Sequence, residues 1–247
     1  MTMKEISLLT LRCKYELDRL DRQGFWSKMR ERNVELREYG KILLGGFGES
    51  IEITPNGLSL KTSTGEVFSW NPENNREPCS IVVNHGDYEP EVRKVLCACT
   101  HQGSCVVDVG ANIGWYSVIL SVISGKSGRV IAFEPVPETR KVLEHNVYLN
   151  NVQSSVDVVA CGLSSFAGKA KLFLPEFSGH PAASLRDLHP NESSVKISIE
   201  LSTLDEEIKR KQIDRVDLIK CDVEGAELLV LTGGKMTIKK PQPIVLL

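Results

Sequence analysis

The stretch Val106-Val107-Asp108-Val109-Gly110-Ala111-Asn112-Ile113-Gly114 constrains this chain more than any other. An apolar run reaches an acid, and glycines in a G-x-N-x-G spacing open a second apolar run from Trp115 to Ser124. The pattern predicts a strand, a tight turn and a helix start. Glycine reaches backbone conformations closed to other residues and lets a ligand lie against the main chain. Further on, a second strand-like run over 129–133 ends in Glu134. In a doubly wound sheet, two such turns lie side by side at the carboxyl ends of neighbouring strands. A carboxylate there accepts hydrogen bonds from both hydroxyls of a ribose. The pair reads as a nucleoside site.

The glycine spacing narrows which nucleoside. A dinucleotide fingerprint is G-x-G-x-x-G, with the helix N-terminus facing a pyrophosphate. Here Asn112 takes the place of the middle glycine, and the third would fall at Trp115, whose bulk obstructs a pyrophosphate. A dehydrogenase is therefore disfavoured. The compact D-x-G-x-x-x-G turn resembles the first motif of class I methyltransferases, which hold S-adenosylmethionine and have no phosphate to cradle.

Composition bounds the remaining choices. The chain has 247 residues, 41% hydrophobic and 25% charged, as in an ordinary globular protein. A net charge of -2 leaves no basic footprint for nucleic acid. The seven cysteines are odd in number and include no C-x-x-C, which suits a reducing compartment. Arg12 and Lys14 interrupt the N-terminal apolar residues before they reach signal-peptide length, and no run approaches the ~20 residues of a membrane span. A cytoplasmic protein is expected. Cys97, Cys99, His101 and Cys105 cluster, but helix positions two apart point away from each other, so buried small side chains are expected there and no metal.

Residues 1–39 carry a charged helical pattern, with an apolar stripe at Ile6, Leu9, Cys13, Leu17 and Leu20, then Phe25, Trp26 and Met29. Docking on the core is the first expectation, with a homo-oligomer contact or acceptor binding as alternatives. Short strand-like runs over 41–70, with turn signals at Asn56-Gly57 and Gly65, predict a β-meander. A polar loop follows from Asn71 to Pro78. The acids of Gly86-Asp87-Tyr88-Glu89-Pro90-Glu91 suit the start of a helix over about 91–100. A helix is expected from Pro137 to Asn150 or Asn151, a third strand over Val156–Cys161, and extra strands over Lys169–Leu174 and 195–201. Between those two lies a long polar loop, 175–194, carrying His180, Ser184, Arg186, Asp187 and His189, a place to look for an acceptor lid. Ser202 and Asp205 are read as a helix start, Val216–Asp222 as the fourth core strand, and 243–247 as the fifth. The helix between these strands stops at Gly233-Gly234.

From about Tyr88 to Leu247 the chain resembles the FkbM family of S-adenosylmethionine-dependent methyltransferases. The likeness rests on Tyr88-Glu89-Pro90, Val107 to Gly114, Ala132-Phe-Glu-Pro135, Thr203-Leu-Asp205 and above all Ile219-Lys-Cys-Asp-Val-Glu-Gly-Ala-Glu227. It implies an α/β, Rossmann-like class I sheet over 86–247, mostly parallel and flanked by helices, after an N-terminal helical and meander extension over 1–85. It also implies S-adenosylmethionine as cofactor and transfer to oxygen, commonly a hydroxyl of a sugar or other small natural product. Glu89, Asp108, Gly110, Asn112 and Gly114 would then contact the cofactor, Glu134 the ribose, and Ala160 and Cys161 the adenine. Asp222 would lie near the sulfonium and acceptor, and Glu224 is the candidate base. Nucleobase or amide N-methylation is disfavoured, because the fourth strand ends in Cys-Asp-Val-Glu rather than an N/D-P-P-Y-like turn. Such folds continue past the fifth strand with a helix and two more strands, so the apolar edge 244–247 calls for a cover. Further chain, a second chain or the meander could supply it. A non-catalytic, methyltransferase-like binding subunit is the alternative from another class.

Overall fold

A computed structural model describes residues 21–43, 45–55, 57–175, 194–239 and 242–247. The first described helix, α1 (Arg22–Ile42), begins at Asp21, whose side chain accepts from the Gly24 backbone N–H at 2.7 Å. Of the apolar stripe, Ile6, Leu9, Cys13, Leu17 and Leu20 lie outside the described residues, and the helix meets the core at its far end. Tyr39 meets Trp70 edge-on at 6.3 Å and Leu43 packs on the core, while Trp26 stays exposed. The strands β1 (Gly48–Thr54), β2 (Gly57–Thr62) and β3 (Val67–Trp70) form the antiparallel meander. Thr54 pairs with Gly57 across the first turn, and Gly65 takes a left-handed φ of 103° in the second.

The expected loop ends in a helix instead. Pro78 opens α2 (Pro78–His85) at its first turn, and Gly86, with φ 91°, closes it. Glu89 is the N-cap of α3 (Pro90–Ala98) and holds a left-handed φ of 42°. Strand and helix then alternate as β4 (Cys105–Val109), α4 (Trp115–Ser124), β5 (Arg129–Phe133), α5 (Pro137–Leu149) and β6 (Val156–Val159). Next come β7 (Gly162–Leu163), β8 (Gly168–Pro175), β9 (Ser194–Ser202), α6 (Leu204–Arg210), β10 (Leu218–Cys221), α7 (Glu227–Gly233), α8 (Lys235–Lys239) and β11 (Ile244–Leu246). The loop over 176–193, with His180, Ser184, Arg186, Asp187 and His189, lies outside the described residues.

The α6 start differs from expectation. Thr203 is its cap, accepting from the Glu206 N–H at 3.2 Å. Asp205 serves α8 instead, accepting from the Met236 and Thr237 N–H groups at 3.0 and 2.8 Å. A carboxylate at a helix start satisfies donors that have no partner within the helix.

The main sheet is parallel throughout, in the order β11-β10-β4-β5-β6, with the connecting helices on both faces. This is the class I methyltransferase arrangement, and the period-two alternation of β4 shows how it is filled. Val106 joins one core with Trp115, Leu120, Leu143 and the meander's Leu60 and Phe68. Val107 and Val109 join the opposite core with Leu204, Ile208 and Val230. The meander thus shares a buried cluster with the sheet. It forms its own sheet and does not pair with β11, which ends the order of the five strands. A third sheet, β7-β9-β8, carries a separate apolar cluster of Val136, Leu172, Leu174, Ile199 and Leu201.

Candidate active site

The turn after β4 is built around glycine. Gly110 has φ 75°, and a Cβ there would lie 2.0 Å from the backbone oxygen of Asp222. The Gly110 and Ala111 N–H groups both donate to the Phe133 carbonyl, at 3.1 and 3.0 Å. Asn112 follows with a left-handed φ of 52°. Gly114, φ 82°, caps α4 close to Leu143. The end of β4 is thereby stitched to the end of β5.

Glu134 completes that stitch. One carboxylate oxygen accepts from the Asn112 N–H and the other from the Val136 N–H, both at 2.9 Å. Each oxygen keeps a further lone pair for a ligand hydroxyl. The side chain is buried, and burial lifts its pKa from 4.5 to about 7 against the lowering effect of the two N–H bonds.

Asp108 is fully buried. It points to the α4 face, where it accepts from the Ser117 hydroxyl at 2.6 Å. Lys220 stands opposite it in the β4–β10 register. The Lys220 ammonium lies 3.5 Å from Asp108 Oδ1 and 3.6 Å from Asp222 Oδ2, and donates to the Gly110 carbonyl at 3.3 Å. Burial opposes its charge, but the carboxylates of Asp108, Asp222 and Glu89 outweigh it and raise the pKa above the ordinary lysine value.

A cavity of about 250 Å³ opens over these strand ends. Glu89, Gly110, Asn112, Glu134, Asp222 and Glu224 line it together. Asp108 and Gly114 do not line it, and Asp108 meets the lining through Lys220. Ala160 is exposed and Cys161 packs in the core on the Val107 side, so neither borders the cavity; their neighbours Gly162 and Leu163 do. The third sheet closes that end with Leu172, Ile199 and Leu201.

At the other end, Tyr116 donates its hydroxyl to Glu89 Oε2 at 2.9 Å, and Tyr88 packs on both Trp115 and Tyr116. Burial raises the Tyr88 pKa first, and the charges of Glu89, Asp222 and Glu224 raise it further. Glu224 has a left-handed φ of 52° and precedes α7. The first-turn acid of that helix is Glu227, which accepts from the Val223 and Gly225 N–H groups at 3.3 and 3.1 Å. Desolvation raises the pKa of Glu224, with Asp222 and Glu227 adding to it. Among the described residues, no group of three or more His, Cys, Asp or Glu is placed to hold a metal ion. No described helix is long and apolar enough to cross a membrane.

Lys220 carried no role in the sequence pattern. A lysine between Ile219 and Cys221 in a buried strand was the available signal, since a central position rarely takes a charge without a partner. Tyr116 is the other addition, and nothing in its apolar helix marked it.

The family model for the methyltransferase FkbM domain matches residues 108–247. The chain belongs to the FkbM methyltransferase family. S-adenosylmethionine is the cofactor of FkbM methyltransferases, and the residues present fit it. A carboxylate with spare acceptor capacity stands at the end of β5, and the turn beside it is bare of side chain at Gly110. Methyltransferase sdnD of Sordaria araneosa is 33% identical over 159 residues, covering 52% of this chain and 59% of its own. The hexuronic acid methyltransferase AglP of Haloferax volcanii is 30% identical over 145 residues, covering 59% of this chain and 56% of its own. The chain thus spans less than three-fifths of either relative. The crystal structure of methyltransferase FkbM from Methylobacillus flagellatus KT is 22% identical with a TM-score of 0.41, covering 60% of this chain and 32% of that one.

Proposed function

We propose that this FkbM protein transfers a methyl group from S-adenosylmethionine to a hydroxyl of a sugar or other small natural product. The observation that carries the proposal is the gathering of Glu134, Gly110, Asp222 and Glu224 around one cavity at the carboxyl ends of β4, β5 and β10. When bound, the cofactor supplies a methyl group on a sulfonium, so transfer is a displacement that leaves a neutral thioether. Glu134 would hold the ribose hydroxyls through the lone pairs that Asn112 and Val136 leave unused. Gly110 and Asn112 would border the methionine part, with Asp108 and Gly114 supporting the turn. Gly162 and Leu163, beside Ala160 and Cys161, would border the adenine. Glu89 and Asp222 would face the sulfonium end.

An alcohol is a poor nucleophile until its proton leaves. Glu224 is exposed, and partial desolvation together with the charge of Asp222 raises its pKa, which makes it a stronger base than an unperturbed carboxylate. It would take the acceptor's hydroxyl proton while Asp222 orients the acceptor. Binding of the reactants in line supplies much of the acceleration, because the reacting methyl group comes with the cofactor. The Haloferax relative, named a hexuronic acid methyltransferase, makes a uronic acid one acceptor to try.

The test is product formation. S-adenosylhomocysteine release would be followed with a panel of neutral sugars, uronic acids and phenols as acceptors. Acceptor-dependent release, lost on removing Glu224, supports the proposal. Saturable cofactor binding with no release across the panel favours the non-catalytic binding subunit.

A further inference from the structure

The charges around the cavity are one-sided. Glu89, Glu134, Asp222 and Glu224 line it, and Asp108 meets the lining through Lys220. Lys220 is the sole Lys, Arg or His among the described lining residues. A buried ion pair is often no better for stability than apolar side chains of similar volume. The neighbours of Lys220, Leu218, Ile219 and Cys221, show that β10 takes apolar side chains at every other described position.

The geometry instead places its charge where it opposes the acids. The ammonium sits 3.5 and 3.6 Å from the carboxylates of Asp108 and Asp222, donates to the Gly110 carbonyl at 3.3 Å, and lies 5.5 Å from the centre of the Tyr116 ring. It is held between β4, the glycine turn, α4 and the end of β10. A pKa raised above the ordinary lysine value keeps it charged.

We infer that Lys220 sets the balance between methyl donor and demethylated product by offsetting the attraction of this acidic cleft for a sulfonium. The inference rests on the S-adenosylmethionine site proposed above. The donor carries a positive sulfur and the product a neutral one. Uncompensated acids would bind the donor more strongly than the transition state, in which the sulfur is already losing its charge. Attraction of that kind slows the reaction, because only interactions that strengthen on the way to the transition state accelerate it. Lys220 is in this sense a specificity-determining residue.

The test is calorimetric titration of S-adenosylmethionine and S-adenosylhomocysteine into wild type, Lys220→Met and Lys220→Arg at about pH 8, where carboxylates are ionised. Lys220→Met is expected to raise the ratio of product Kd to donor Kd by about threefold or more, and Lys220→Arg to leave it within about twofold. If Lys220→Met does not fold, the ratio is compared between Asp108→Asn and Asp108→Asn/Lys220→Met, which leaves no buried carboxylate unpaired. The same rise is expected there. Equal weakening of both ligands, with the ratio unchanged, would make Lys220 a structural residue and overturn the inference. Failure of folded wild type to bind either ligand would remove the cofactor site itself, and the inference with it.

Discussion

The backbone oxygen of Asp222 occupies the space a Cβ on Gly110 would need, 2.0 Å from that position. The Asp222 N–H also donates to the Val109 carbonyl at 3.1 Å, so the end of β10 lies directly over the glycine turn. An alanine at Gly110 must push the two apart and hold φ 75° besides. The left-handed conformation alone costs about 1–2 kcal/mol. Gly110→Ala is expected to lower the thermal midpoint by about 4 °C or more and to abolish cofactor binding. A wild-type midpoint in thermal denaturation would contradict this packing.

Asn146 ties the meander to the same turn. It is fully buried, donates to the Ile113 carbonyl at 2.7 Å, and accepts from the Ser69 N–H at 2.8 Å. Asn150 closes the edge of β3 in the same way, through the N–H and carbonyl of Val67. Asn146→Leu would leave the buried Ile113 carbonyl and the part-buried Ser69 N–H unpaired. A loss of about 2–4 kcal/mol in urea denaturation is expected. The loss would be accompanied by weaker cofactor binding, because Ile113 belongs to the turn.

Glu134 predicts a pH dependence. Burial raises its folded pKa from 4.5 to about 7. A raised carboxylate favours folding most below the unfolded value, and that contribution declines until the pH passes the folded value near 7. Cofactor binding runs the other way, since ribose hydroxyls donate and the ionised form accepts better. Affinity should therefore rise from about pH 6 and level off above about 7, by at most about tenfold per unit. Titrations across that range check it, and Glu134→Gln should remove the pH dependence.

Asp222 and Glu224 carry the proposed chemistry. Removal of a general base costs about 10²–10⁴ in rate. Glu224→Ala should fall in that range in turnover with a working acceptor. Full turnover by both Asp222→Ala and Glu224→Ala would refute the assignment.

Much of this site was legible because period-two and helical patterns are local. The β4 turn, the end of β5 at Glu134 and the end of β10 at Asp222 follow from apolar runs punctuated by acids and glycines. The helix α2 was missed although Pro78 and Gly86 mark its ends, because the polar run before it reads as one continuous loop. Thr203, rather than Ser202 or Asp205, caps α6, since adjacent residues can all cap and only geometry selects one. Lys220 needed the strand register. Its partner Asp108 is remote in sequence, and only the parallel pairing of β4 with β10 brings them together. The same limit applies to Ala160 and Cys161, where a shift of two residues moves the cavity border to Gly162 and Leu163.

The most direct test of the account is calorimetric titration of S-adenosylmethionine into wild type and Glu134→Ala, with both shown to be folded by circular dichroism. The account predicts saturable binding by wild type, weakened at least about tenfold, or about 1.4 kcal/mol, in the variant. Equal affinity in the two proteins, or no binding by folded wild type, would contradict it.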